Sequence, residues 1–199
     1  SKYGLDVMTR ITYEFENENA IKNLQEIIIQ KINAMIDEIC IKNNLEKENI
    51  KQIIVAANTT MLHMFLGKDA RSLGKYPYKT SFVKTQEILA EDIGINLKAK
   101  IFTLANVSAF VGSDIVAGVY LTDLKNKKNT LFIDIGTNGE IVLKTKDKLY
   151  CCSTAAGPAL EGMNIECGMR AESGAVERVK IENEKISIKS IGDTKAKGL

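Results

Sequence analysis

Residues 131–143 constrain this chain most. The apolar run Leu131-Phe132-Ile133 reaches Asp134 and Ile135, turns through Gly136-Thr137-Asn138-Gly139, and resumes after Glu140 as Ile141-Val142-Leu143. Such a pattern predicts two strands joined by a tight turn, with an acidic residue near the end of the first. The turn gathers backbone N–H groups, a hydroxyl and an amide around one point, and its glycines let a phosphate approach the backbone. Asp134 is placed to hold Mg²⁺ or one of its waters. The design is a phosphate loop on a β-hairpin, unlike a P-loop, which opens a helix.

The rest of the chain sets the limits of that reading. At 199 residues it has room for one domain or two small lobes. Its 27 basic and 25 acidic residues leave a net charge of +2, which argues against nucleic acid or an anionic membrane as the main partner. No apolar run approaches the roughly 20 residues that span a bilayer, and no cleavable signal peptide is visible at the start. The cysteines, Cys40, Cys151, Cys152 and Cys167, make no C-x-x-C pair, so neither zinc nor a local iron–sulfur motif is indicated. They read as reduced thiols of a cytoplasmic protein. If Cys151 and Cys152 lie on a strand they face opposite ways and do not readily bridge.

Along the chain, 1–16 shows no clear period. From Asn19 to Asn43 the apolar residues Ile21, Leu24, Ile28, Ile32, Met35, Ile36, Ile39 and Cys40 recur at three and four, which predicts a long amphipathic helix. Strands are expected at 53–57 and 99–104, and helices at 59–66 (closed by Gly67), 85–94 and 109–124. An exposed loop is expected at 71–81. After the polar linker 125–129 come strands at 130–135, 140–146 and 148–153, an irregular Gly-rich region at 156–174, and two strands flanking Asn183-Glu184. A helix is expected to begin near Thr194. Crossover helices with mixed strands imply an α/β fold.

Three further clusters accompany the hairpin. Ala57-Asn58-Thr59-Thr60-Met61 joins a strand to a helix N-terminus, which serves equally as an anion site or an ordinary N-cap. Asn106 to Asp114 places small residues at a helix start, suited to close packing against another backbone. Ser153-Thr154-Ala155-Ala156-Gly157-Pro158-Ala159-Leu160-Glu161-Gly162 is a small-residue loop able to wrap a nucleotide. Glu161 is either a water-mediated metal contact or a solvated residue of a first turn. The single histidine, His63, sits among Met61, Leu62, Met64 and Phe65 and reads as a packing or capping residue, which argues against His-based triads and multi-histidine metal sites.

The order of these clusters resembles the actin, heat-shock chaperone and sugar-kinase superfamily, the ribonuclease H-like ASKHA fold. On that resemblance 106–118 corresponds to the first interdomain helix, 134–140 to the second phosphate motif and 153–162 to the loop that follows. The segments Asp6 to Ile11, Asn58 to His63, Phe110 to Ile115, Asp134 to Glu140, Cys152 to Pro158 and Gly168-Met169-Arg170-Ala171 together resemble the reductive activators of corrinoid proteins (the RACE family) over nearly the whole chain.

The resemblance implies a parent protein with an N-terminal [2Fe–2S] domain and a C-terminal ASKHA domain, which couples ATP and Mg²⁺ to reduction of a Co(II) corrinoid to Co(I) in a corrinoid protein serving a methyltransferase. It implies that this chain is an internal fragment, inactive alone. The [2Fe–2S] domain is absent from it, and the first phosphate motif and the Gly-rich adenosine motif lie outside it. Residues 1–125 are then the remainder of the first ASKHA lobe and 126–199 the start of the second. Asp134 is the catalytic and Mg²⁺-handling residue. Gly136, Thr137, Asn138, Gly139 and Glu140 are phosphate-binding, with Asn58, Thr59, Thr60, Ser153 and Gly157 near the cleft. Two other readings stand beside it: another ASKHA phosphotransferase, for which no catalytic carboxylate facing a hydroxyl substrate is evident, and a degenerate lobe that docks a protein partner without nucleotide turnover. Missing opening strands leave a sheet edge free, from which a homodimer is expected.

Overall fold

The computed structural model describes residues 3, 4, 6–156 and 166–198. It is a mixed α/β structure with several small sheets. The described chain falls into two compact units, one of Ser1–Phe132 with Val142–Cys152 and one of Ile133–Ile141 with Ser153–Leu199.

The first unit opens with α1 (Val7–Glu16), where no period was legible. Its signal is a cap: Asp6 Oδ1 accepts the Thr9 N–H at 2.8 Å, and Thr9 Oγ1 accepts the Asp6 N–H at 3.1 Å. The long helix is present as α2 (Ala20–Asn43), ended by Asn44 in the left-handed region. Ile28, Ile32 and Ile36 pack on a core of Ile29, Phe65, Ala90, Ile95, Leu97, Ala99 and Ile101. Asn33 ties α2 down on the far side, donating to Gly94 O at 2.9 Å and accepting from Asn96 N at 2.9 Å.

Strands β1 (Gln52–Val55) and β3 (Lys100–Thr103) run parallel, with Ile53 opposite Ile101 and Val55 opposite Thr103. The helix expected at 85–94 is instead β2 (Glu87–Leu89), antiparallel to β3, followed by a single 3-10 turn at Glu91–Ile93 that Gly94 ends at φ +85°. Edge pairing supplies the backbone partners here: Thr103 N–H donates to Gln86 O and the Ala90 N–H to Ala99 O. Helix α3 (Thr59–Phe65) closes as expected. Gly67, at φ +62°, and Lys68 return their N–H groups to Met64 O and His63 O. The helix expected at 109–124 shortens to α4 (Ser113–Leu121) with a 3-10 turn at Leu124–Asn126. Residues 107–111 close a turn of their own, Val107 and Ser108 both donating to Val111 O.

Strands β4 (Thr130–Ile135), β5 (Asn138–Lys144) and β6 (Leu149–Ala155) form a sheet in that order. The final hairpin pairs β7 (Val176–Glu182) with β8 (Lys185–Ser190) around Asn183 and Glu184, both at positive φ, as a primed turn requires. No helix begins at Thr194 in the described tail; Gly198 bridges back to Ala175. Among the described residues no helix is long and apolar enough to cross a membrane.

His63 pins α3 to the loop that follows. It is fully buried. Nδ1 lies 2.7 Å from Thr59 O, which can only accept, so Nδ1 carries the proton. Nε2 therefore accepts from the Ser81 hydroxyl at 3.0 Å and the Ser81 N–H at 3.3 Å. Burial holds its pKa below the usual histidine value; the Thr59 carbonyl opposes this, nearby Lys68 adds to it, and Asp69 works against it. The folded state thus binds fewer protons than the unfolded chain, and the His63 contribution is complete above a pH of about 6.5 and lost as pH falls below it. Urea midpoints are expected to drop between neutral and mildly acidic pH. His63→Ala is expected to cost about 2 kcal/mol at neutral pH, with a flatter pH dependence. A variant with an unchanged pH slope contradicts the pin.

Candidate functional site

The turn expected between two strands is where the sequence puts it. Gly136 and Thr137 alone join β4 to β5, and the Gly136 N–H donates to Asn138 O at 2.9 Å. Asp134, Gly136, Thr137 and Asn138 are all exposed, while Gly139 is buried and Glu140 half-buried. Glu140 Oε1 accepts a hydrogen bond from Ser153 Oγ at 3.0 Å, which fixes the carboxylate against β6. All of these residues belong to one compact unit.

The two glycines differ in what they leave room for. A Cβ at Gly139 would stand 3.2 Å from Thr154 Cγ2, so Gly139 is small because β6 lies against it. A Cβ at Gly136 would meet nothing nearer than Asn138 O at 3.8 Å, and its φ is not positive. Neither backbone strain nor internal packing requires glycine there. What glycine does is keep the face of the turn open, beside an exposed carboxylate, hydroxyl and carboxamide. Such a turn leaves room for a phosphorylated ligand, with an exposed carboxylate beside it able to meet a cation. Magnesium is held mostly by phosphates, waters and one or two carboxylates, so a single aspartate is a sufficient protein share.

The Asn58 cluster lies in the other unit and is occupied with structure. Asn58 is exposed, and its Oδ1 caps α3 by accepting the Met61 N–H at 2.9 Å. Thr59 and Thr60 are buried, and Thr59 Oγ1 donates to Ser108 O at 2.7 Å. The start of α4 presses onto this junction. Ser113 Oγ accepts the Ala57 N–H and donates to Ala57 O, both at 3.0 Å, and the Ser113 N–H adds a second bond to Ala57 O. A Cβ at Gly112 would stand 2.6 Å from Asn58 Cα and 2.7 Å from Ala57 O. The small residues at 106–114 thus serve close backbone packing, one of the roles the sequence allowed.

Gly157 and Glu161 lie outside the described residues. Cys40 is buried, Cys151, Cys152 and Cys167 are exposed, and all four are free thiols. Among the described residues no three metal-ligating side chains gather. Sequence reasoning overlooked the Glu140–Ser153 bond, whose signal was available in the alternation of β5 and β6.

These contacts order the glycines by cost. Gly112→Ala is expected to destabilise by about 3 kcal/mol, Gly139→Ala by about 1 kcal/mol, and Gly136→Ala by less than about 0.5 kcal/mol. Denaturant midpoints check the order; a loss at Gly136 equal to that at Gly112 would contradict the open turn.

Comparison with known proteins places the chain in a family. The family model described as the RACo middle region matches residues 1–127, and that described as the C-terminal domain of RACo, the ASKHA domain, matches 128–199. The chain is 36% identical over 198 residues to the corrinoid activation enzyme RamQ of Eubacterium limosum, covering 98% of this chain and 33% of that protein. It is 30% identical over 173 residues to the Co(II) methylated amine-specific corrinoid protein reductase of Methanosarcina barkeri, covering 80% of this chain and 31% of that protein. A solved reductive activator for corrinoid, iron-sulfur protein superposes over 100% of this chain and 32% of its own, at 39% identity and a TM-score of 0.84. The chain therefore spans about a third of the length of the relatives it matches. On the extent of these matches, the chain belongs to the RACo family of reductive activators of corrinoid proteins.

Proposed function

We propose that this chain supplies the middle region and a nucleotide-phosphate loop of an ATP-dependent activator that returns an inactive Co(II) corrinoid to Co(I) in a corrinoid protein of methyl-transfer metabolism. The observation that carries the nucleotide half of this reading is Gly136, open where neither φ nor packing demands glycine, beside the exposed Asp134, Thr137 and Asn138. The corrinoid half rests on family membership.

In this reading Gly136, Thr137, Asn138 and Gly139 hold a phosphate of ATP, and Asp134 holds Mg²⁺ or a water on it. Glu140, fixed by Ser153, braces the turn. Asn58, Thr59 and Thr60 keep the first unit's β1–α3 junction in place. Residues 1–125 form part of the first ASKHA lobe and 126–199 part of the second; the boundary between the matched families, after 127, falls in the same polar linker. The electron comes from a [2Fe–2S] domain elsewhere in the whole protein. ATP assists by favouring one arrangement of the protein over another, and shifts that equilibrium only by its difference in affinity for the two. Family membership favours this activator over a phosphotransferase or a nucleotide-free docking lobe.

Calorimetric titration of Mg-ATP into the full-length protein tests it. Asp134→Ala is expected to weaken binding by about tenfold or more, and Gly136→Ala to weaken it with little loss of stability. Absence of binding by the wild-type protein removes the ATP mechanism. Reduction of a corrinoid protein from Co(II) to Co(I), followed by absorbance with and without ATP, tests the activity itself. Light scattering across a concentration series tests the edge-paired homodimer expected from sequence. A mass that rises with concentration is the predicted result, and a constant monomer mass removes the dimer.

A further inference from the structure

Between Gly67 and Thr85 the chain carries five cations, Lys68, Arg71, Lys75, Lys79 and Lys84, against one acid, Asp69. That excess of four exceeds the net charge of the whole chain, +2. Asp69 is already committed, its carboxylate bonding Arg71 through both Nε and Nη2. Among the described residues Lys75, Lys79 and Lys84 are exposed and enter no ion pair.

Aromatic side chains crown the same segment. Tyr76 is 82% exposed and meets Tyr78 edge-on at 6.2 Å; Tyr78 packs on exposed Phe110 at 5.3 Å. Phe15 adds a further exposed ring. Phe15, Tyr76 and Pro77 line a surface concavity of about 290 Å³ rimmed by Arg71, Lys75 and Lys79. All of these residues belong to the first compact unit. Buried contacts hold the segment at both ends. Leu73 and Ala70 are core residues, and Ser81 is bonded to His63. The segment is therefore a braced platform, with its polar and aromatic tips left over.

From this we infer that residues 67–85, with Phe15 and Phe110, form the docking surface for an acidic protein face that places an apolar side chain in the concavity. The inference rests on the reading above, in which that partner is the corrinoid protein. An uncompensated cluster of lysines steers an oppositely charged partner and sets its association rate. Tyrosine at the centre of a rim of charge is the composition of an interface hot spot, because it buries large area at small entropic cost. The concavity between Phe15, Tyr76 and Pro77 offers an apolar side chain a place among the cations.

The test measures binding of full-length protein to purified corrinoid proteins of methyl-transfer metabolism, at low and at high salt. The variants are Lys75→Glu with Lys79→Glu, Tyr76→Ala, and the control Lys185→Glu in the other unit. Thermal midpoint and Mg-ATP affinity are recorded for each, and both are expected to stay at wild-type values. The expected result is loss of about tenfold or more in affinity for the lysine pair, with weakened salt dependence, a similar loss for Tyr76→Ala, and none for Lys185→Glu. Unchanged affinity in either of the first two variants overturns this inference and leaves the activator reading standing. Failure of the wild-type protein to bind any corrinoid protein overturns both. Displacement of the partner by a single-stranded oligonucleotide at physiological salt reassigns the surface to nucleic acid and overturns the acidic-protein partner.

Discussion

The backbone of Ala57 is the point on which the first unit turns. Both of its hydrogen-bonding groups are taken by one side chain, the Ser113 hydroxyl, and its carbonyl accepts the Ser113 N–H as well. That contact brings the start of α4 against the end of β1 and the cap of α3, at a separation only a glycine at 112 permits. A second small residue repeats the device further along α4. A Cβ at Gly118 would stand 2.6 Å from Phe132 Cζ, so the first strand of the phosphate hairpin begins under the helix that follows the Ala57 junction. Val111, Ile115, Leu124 and Val142 close over this contact as a core of their own. Two buried polar bonds and two absent side chains thus set where β4 starts.

This ordering explains why the Asn58 cluster is committed to structure while the hairpin keeps its polar side chains exposed. A buried hydroxyl that has spent its proton, as Thr59 Oγ1 has on Ser108 O, has no donor left for a phosphate without breaking that bond. At the hairpin the side chains with free capacity all point outward, and the one that is tied, Glu140, is tied to the neighbouring strand. Both segments read alike in sequence, as small polar residues at a strand end. Burial separates them, and burial is a property of what packs alongside.

Much of the architecture was legible for the same reason that parts were not. The long helix α2 and the β7–β8 hairpin announce themselves through period and turn chemistry, which are local. Helix α1 hid because its evidence is a reciprocal cap between Asp6 and Thr9 rather than a stripe. Residues 85–94 misled because Ile88, Leu89 and Ile93 fit a helical face about as well as an edge strand. The decision lay with β3, whose antiparallel partner positions are distant in sequence. The shortfall of α4 likewise followed from a long-range demand, the approach of Gly112 to Asn58. The hairpin itself was legible from its residues, but the separate reasons for Gly136 and Gly139 appear only when their neighbours are in place.

Burial is also unevenly distributed, and that bears on how the chain functions. One face of β1 and β3 is enclosed, with Ile101 wholly buried and Ile53 and Val55 packed on the same core, while Ile54 is exposed. In the β7–β8 hairpin Val179 stands opposite Ile188 and Ile181 opposite Ile186, so these four β-branched residues share one face, and all four are exposed. Along β4 the alternate positions Leu131, Ile133 and Ile135 are exposed as well, Ile135 at 84%. A two-stranded hairpin with an uncovered apolar face is marginal in water. The proposed whole protein, some three times this length by its relatives, accounts for such faces as surfaces that further elements cover. The Gly136-Thr137 turn sits at the tip of such a strand, β4. Asp134 is thus carried by a strand whose own packing is confined to Phe132, against Gly118 and the core of Val111, Ile115, Leu124 and Val142, while Leu131, Ile133 and Ile135 stay uncovered.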